Sequence, residues 1–194
     1  MIRKLIGACV GLAMAGIAGT ASAAVLNVSG GQLLGAQNVD IMGTLYDVTF
    51  EDGTCTSIFG GCDELSDFAF NDEASATSAA QALLDQVFID LPEGNFDTDP
   101  ELTTGCTDTD GCTVFIPWSI SAGLADVAFA HNAPGTDDAG CCGGVPESLD
   151  LTGAASSTFG RFAPVAVVPL PPAALLFGAG LAGLTLLGWR RRQT

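Results

Sequence analysis

Lysine is absent from every position after Lys4, and histidine occurs once in 194 residues, at His131. Of the six basic residues, Arg3 and Lys4 open the chain and Arg190, Arg191 and Arg192 close it. The stretch between them has only Arg161 to set against all 22 Asp and Glu, which leaves 21 uncompensated negative charges. A field of that sign repels phosphate backbones and anionic lipid surfaces and attracts cations, so a nucleic-acid partner is excluded. The chain also lacks a GxSxG elbow, an HExxH helix, a Gly-rich phosphate loop and any CxxC pair. A Ser–His or Cys–His nucleophile would have to run through His131, which ends an alternating stretch, the usual place of a structural histidine. Carboxylate pairs could serve glycoside hydrolysis, but among 22 acids closeness in sequence identifies none. These absences point away from an enzyme; a secreted hydrolase is the weakest of three readings.

The first residues have the three zones of a secretory signal. Arg3 and Lys4 form the charged start, Leu5 to Ile17 the apolar run, and Ala21-Ser22-Ala23 the small-residue site, with cleavage by signal peptidase expected between Ala23 and Ala24. A lipobox reading of Ile6-Gly7-Ala8-Cys9 fails because Cys9 follows Lys4 too closely for an apolar core. Cleavage leaves six cysteines, Cys55, Cys62, Cys106, Cys112, Cys141 and Cys142, an even number that reads as disulfides in an exported chain. Six allow 15 pairings. Cys55 with Cys62 and Cys106 with Cys112 could each close a short loop, contributing roughly 2–3 kcal/mol. If both do, Cys141 must bond to Cys142, a rare vicinal bridge; if that bridge is absent, at least one local loop is wrong. Structural zinc is the alternative use of such cysteines.

Residues 24–165 are expected to form one acidic, disulfide-stapled α+β domain, strand-rich and mostly antiparallel, with one amphipathic helix packed on the sheet. In TLYDVTFEDG, Tyr46, Val48 and Phe50 alternate with Leu45, Asp47 and Thr49. CTVFIPWS repeats the pattern with Val114, Ile116 and Trp118, and GLADVAFAH aligns Ala125, Val127, Phe129 and His131. VLNVSG and QLLGAQNVDIMG supply two earlier strands. DEASATSAAQALLDQVFID changes to a 3.6-residue period, its stripe running through Ala79, Ala80, Leu83, Leu84, Val87 and Phe88. Asn71 or Asp72 can cap it, and Pro92 and Gly94 follow its end. GNFDTDPELTTGCTDTDG and HNAPGTDDAGCCGGVPES read as long loops, for which disulfide pinning is the natural restraint.

Asp97 and Asp99 in the first loop, with Asp108 and Asp110 further on, place oxygens at alternate positions and are candidate calcium ligands. The spacing is not that of an EF-hand, and solvated acidic loops are the simpler reading. No other cofactor is implied. Asn27-Val28-Ser29 matches a glycosylation sequon within an expected strand. Tyr46 and Trp118 are the hints of a glycan-binding or adhesion module, the second functional reading.

Ala173 to Trp189 is 17 residues without a charge, seven of them Leu or Phe. That is the short end of what crosses a hydrocarbon core of about 30 Å. Trp189 suits the interface, and Arg190, Arg191 and Arg192 would stay cytoplasmic. Before the span stands Val168-Pro169-Leu170-Pro171, where proline removes backbone donors and keeps the chain extended for an enzyme to bind. This order of proline motif, apolar span and arginine cluster over about residues 166–194 resembles a PEP-CTERM sorting signal of the VPLPA type, with Pro172 where alanine is commoner. The resemblance implies a bacterial protein recognised at the proline motif by an exosortase-like membrane protease. The body would be held at the inner membrane, facing the periplasm, and then passed to the cell surface or the extracellular polysaccharide matrix. The first functional reading is therefore a non-enzymatic exported surface or matrix protein.

Overall fold

A computed structural model describes residues 23–166. The terminal helices expected at residues 1–23 and 173–189 lie outside them, apart from Ala23. Among the described residues no helix is long and apolar enough to cross a membrane.

The first three strands, β1 (Val25–Ser29), β2 (Gln32–Ile41) and β3 (Thr44–Glu51), form an antiparallel meander. Its turns are two residues long, and both residues of each lie at positive φ: Gly30 and Gly31 at 61° and 85°, Met42 and Gly43 at 53° and 85°. That is the turn whose twist matches paired strands. Asp40 Oδ1 braces the second by accepting the Gly43 N–H at 2.7 Å. A short helix, α1 (Cys55–Phe59), follows, capped by Thr54, whose hydroxyl accepts from the Ser57 N–H while Ser57 Oγ accepts from the Thr54 N–H.

The main helix, α2 (Glu73–Gln86), starts where expected, with Asp72 accepting from the Ser75 N–H at 2.9 Å and from its hydroxyl at 2.8 Å. It ends at Gln86, so Val87 and Phe88 complete the buried stripe from beyond the last turn. The Ser75 backbone bond, then its hydroxyl, hold the Asp72 carboxyl below the usual carboxylate range. A carboxylate with a lowered folded pKa contributes stability above its unfolded value and loses it as pH falls through the folded one. Asp72→Ala is therefore expected to lower the melting temperature at neutral pH by a margin that narrows at acid pH, below the ordinary carboxylate range. Thermal melts at both pH values check this, and an unchanged margin would contradict it.

Two residue pairs, β4 (Asp90–Leu91) and β5 (Gly94–Asn95), make a minor hairpin. Then come β6 (Cys112–Ser121), β7 (Leu124–Asn132), β8 (Asp138–Pro146) and β9 (Ser157–Pro164). The seven-stranded sheet runs β1-β2-β3-β9-β6-β7-β8. It consists of two meanders joined by β9, which pairs antiparallel with β3 and parallel with β6. The sheet is thus mixed rather than wholly antiparallel, within the strand-rich α+β class. The two long loops also need correction. HNAPGTDDAGCCGGVPES contains β8, and GNFDTDPELTTGCTDTDG contains β5 and a 3₁₀ turn at Pro100–Leu102.

Both faces of the sheet are covered. On one, α2 packs with Val48, Phe50, Val114, Ile116, Ala128, Ala130 and Phe162, and Phe50 stacks on Phe88 with centroids 5.7 Å apart. On the other, α1 and the Cys55–Cys62 bridge lie with Phe68, Ala125, Val127, Val145, Leu151 and Phe159. β7 therefore contributes from both faces, whereas the sequence pattern assigned only Ala125, Val127, Phe129 and His131 to an aligned side.

Candidate functional site

All six cysteines of the described residues are paired, Cys55–Cys62, Cys106–Cys112 and Cys141–Cys142, with Cα separations of 5.7, 5.7 and 3.7 Å. Both local loops exist, and the vicinal bridge they require exists with them. Cys55, Cys62, Cys106 and Cys112 are buried; Cys141 is half-buried and Cys142 exposed.

The acidic loops are organised by their own backbones. Asp90 Oδ1 accepts from the N–H groups of Asp97 and Thr98 at 3.0 and 3.2 Å, and Asp108 Oδ1 accepts from the Asp110 N–H at 3.0 Å. Asp99 accepts from the Asn95 amide at 3.3 Å. Burial, with the nearby charges of Asp137 and Asp90, pushes the Asp97 carboxyl up. Asp90 and Asp137 are thus carboxylate neighbours of Asp97. Among the described residues, ligand atoms of three potential metal-binding side chains come within 4.8 Å of one another only at Glu73, Cys141 and Cys142.

His131 sits in a cross-strand row, opposite Thr113 on β6 and Asp138 on β8. Its Nδ1 lies 2.9 Å from Thr113 Oγ1, and a Cβ at Gly111 would come 2.7 Å from its Cε1. The ring is held between a hydroxyl and a backbone that has no side chain there. Asn27 is exposed on β1.

Tyr46 and Trp118 form no open stacking platform. Tyr46 packs on Phe70 with centroids 5.1 Å apart, and both aromatics lean against the α2-side core. Instead, a groove of 480 Å³ lies beside β9, where Arg161, Asp47 and Thr49 from adjacent strands meet Phe59, Asp67 and Phe68. Arg161 is 3.8 Å from Glu51 Oε1, and both side chains are open to solvent. Such a pair is weak, so the guanidinium is free to take another partner.

Comparison with known proteins gives no matching family model, no matching curated protein and no matching solved structure.

A second groove, also 480 Å³, is lined by residues that include Asp52, Glu101, Gly105, Cys106 and Thr107. Burial raises the Asp52 carboxyl, the Thr158 hydroxyl bond opposes that, and Asp150 adds to it.

Ala23 and Ala24 precede β1 at the start of the described residues. Ala21, Val168, Pro169, Leu170, Pro171, Arg190, Arg191 and Arg192 lie outside them. The residues missed from sequence are Arg161, Phe59 and Phe68, and the meeting of Glu73 with Cys141 and Cys142. Arg161 had a signal, as the one cation among 22 acids. Glu73 had none, because nothing local ties α2 to β8.

Proposed function

We propose that the protein is a non-enzymatic exported surface or matrix protein. Signal peptidase acts after Ala23, and the C-terminal segment holds the body at the inner membrane until an exosortase-like protease acts at Val168 to Pro171. The observation that carries export is the pairing of all six body cysteines, because disulfides form and persist in oxidising compartments. The end of the fold supports the sorting step. The last strand closes at Pro164, the Val165 N–H still donates to Leu45 O at 2.9 Å, and the proline motif begins shortly beyond. A protease acting beyond Pro164 would not need to unfold the sheet. The intact mass of protein from the surface fraction of its native cells tests this. The expected mass ends near Val168 to Pro171, and a chain retained through Thr194 would refute processing.

The groove at Arg161 favours one further reading, binding of extracellular polysaccharide. The half-buried Phe59, with Phe68 behind it, offers apolar contact to the C–H groups of a sugar ring. Arg161, Asp47 and Asp67 offer donors and acceptors to its hydroxyls. On a glycan array, Arg161→Ala should lose the signal that the unaltered chain gives; an unaltered chain that retains no glycan would remove this reading.

A further inference from the structure

We propose that Cys141–Cys142 is the redox-accessible bridge among the described residues. Its reduction by an external dithiol would unmask a site for a thiophilic divalent cation, held by the two thiolates and the Glu73 carboxylate.

Access comes first. Thiol–disulfide exchange needs a thiolate to reach a sulfur atom. Cys55, Cys62 and Cys112 are 0 % exposed and Cys106 is 3 % exposed, whereas Cys142 stands open on β8, the edge strand of the sheet. The incoming dithiol forms a mixed disulfide with one sulfur and then closes on itself. Two electrons and two protons pass to the protein, and the reductant leaves as a cyclic disulfide.

The backbone then explains why both sulfurs serve one cation. Adjacent residues of a regular strand point to opposite faces. Here the register steps from Ala128↔Cys141 to Val127↔Gly143, so Cys142 is the extra residue of a bulge, at φ 82°. Bulges re-aim a side chain, and this one holds on one side two groups that the pleat would separate. Two thiolates about 2.3 Å from a tetrahedral metal sit about 3.8 Å apart, near the contact distance of two neighbouring sulfurs once their bond is broken.

The third ligand comes from a different element. Glu73 is the first residue of α2, and one of its carboxylate oxygens lies with both sulfurs inside the 4.8 Å group. The helix start carries partial positive charge, which favours thiolate there. Asp72 is committed to its cap bonds with Ser75. Two thiolates and a carboxylate suit a soft or borderline cation better than calcium, which takes oxygen ligands. Binding a divalent ion to the dithiol releases two protons, and the fourth tetrahedral position is left to water.

The test uses the full chain. With limiting dithiothreitol followed by alkylation and peptide mass analysis, Cys141 and Cys142 should be labelled before Cys55, Cys62, Cys106 or Cys112. The partly reduced protein should then bind one cadmium ion with an ultraviolet sulfur-to-cadmium charge-transfer band. The oxidised protein should show none. Cys141→Ala/Cys142→Ala should remove the band while far-ultraviolet circular dichroism stays unchanged, which also accounts for any signal from Cys9. Glu73→Gln should weaken binding by about tenfold or more. Labelling of the buried cysteines first, or a band that survives undiminished in the double variant, would overturn the site. Unchanged cadmium affinity in Glu73→Gln would overturn the assignment of the third ligand.

Discussion

Replacing Phe159 with alanine is expected to lower stability by about 3–5 kcal/mol, the largest effect of any single truncation considered for this fold. Phe159 is fully buried on β9. Its ring meets Phe59 edge-on at 5.8 Å and lies 6.2 Å from Phe115. The first of these contacts joins the sheet to α1, the second joins β9 to β6. Neither neighbour can follow the lost ring inward: Phe59 is fixed by the capped turn that begins at Thr54, and Phe115 by the β6 ladder. The cavity would therefore stay largely open, which is the condition for the upper part of the range. In a body of this size the loss corresponds to about 10–20 °C in melting temperature. A shift below a few degrees in a thermal melt would mean that the α1 face contributes little to the cooperative unit.

The second large effect is expected from Cys106→Ala/Cys112→Ala. The bridge closes a loop six residues apart in sequence, and in the chain-entropy model its loss costs about 2–3 kcal/mol, or about 5–10 °C. More than entropy is at stake. Cys112 begins β6, Cys106 makes an isolated bridge to Ser156 just before β9, and the N–H groups of Thr107 and Asp108 both donate to Ala155 O at 2.7 and 2.8 Å. The disulfide thus holds the loop that keeps β6 and β9 side by side at the parallel pairing. Cys141→Ala/Cys142→Ala, which closes no loop and sits at the surface, should leave the melting temperature within about 1–2 °C of the unaltered chain. Equal losses in both double variants would contradict this ranking.

The two elements that sequence revealed most plainly, β3 and α2, each bury one face. Tyr46, Val48 and Phe50 alternate because β3 has a single packed side, and the α2 stripe repeats every 3.6 residues for the same reason. Short loops were legible too, through the two local cysteine spacings. β9 escaped because its two anchoring rings, Phe159 toward α1 and Phe162 toward α2, stand three residues apart and leave no period-two alternation. β8 escaped because Gly140, Gly143 and Gly144 give no pattern at all, and only pairing with β7 makes it a strand. The candidate sites were less legible still. Asp97 meets Asp90 and Asp137, and Glu73 meets Cys141 and Cys142, through tertiary placement that no local spacing encodes.

The position of β9 has a consequence in time. A chain leaves the ribosome, or a membrane pore, from its N-terminus onward, yet the strand that fills the centre of this sheet is the last to emerge. Until Pro164 is clear, β1-β2-β3 and β6-β7-β8 are two separate meanders, each with an open edge where β9 will sit. Contacts so distant in sequence form late and slowly. The body therefore stays unfinished while it is being made and becomes a single cooperative sheet only when its final strand slots between the two halves.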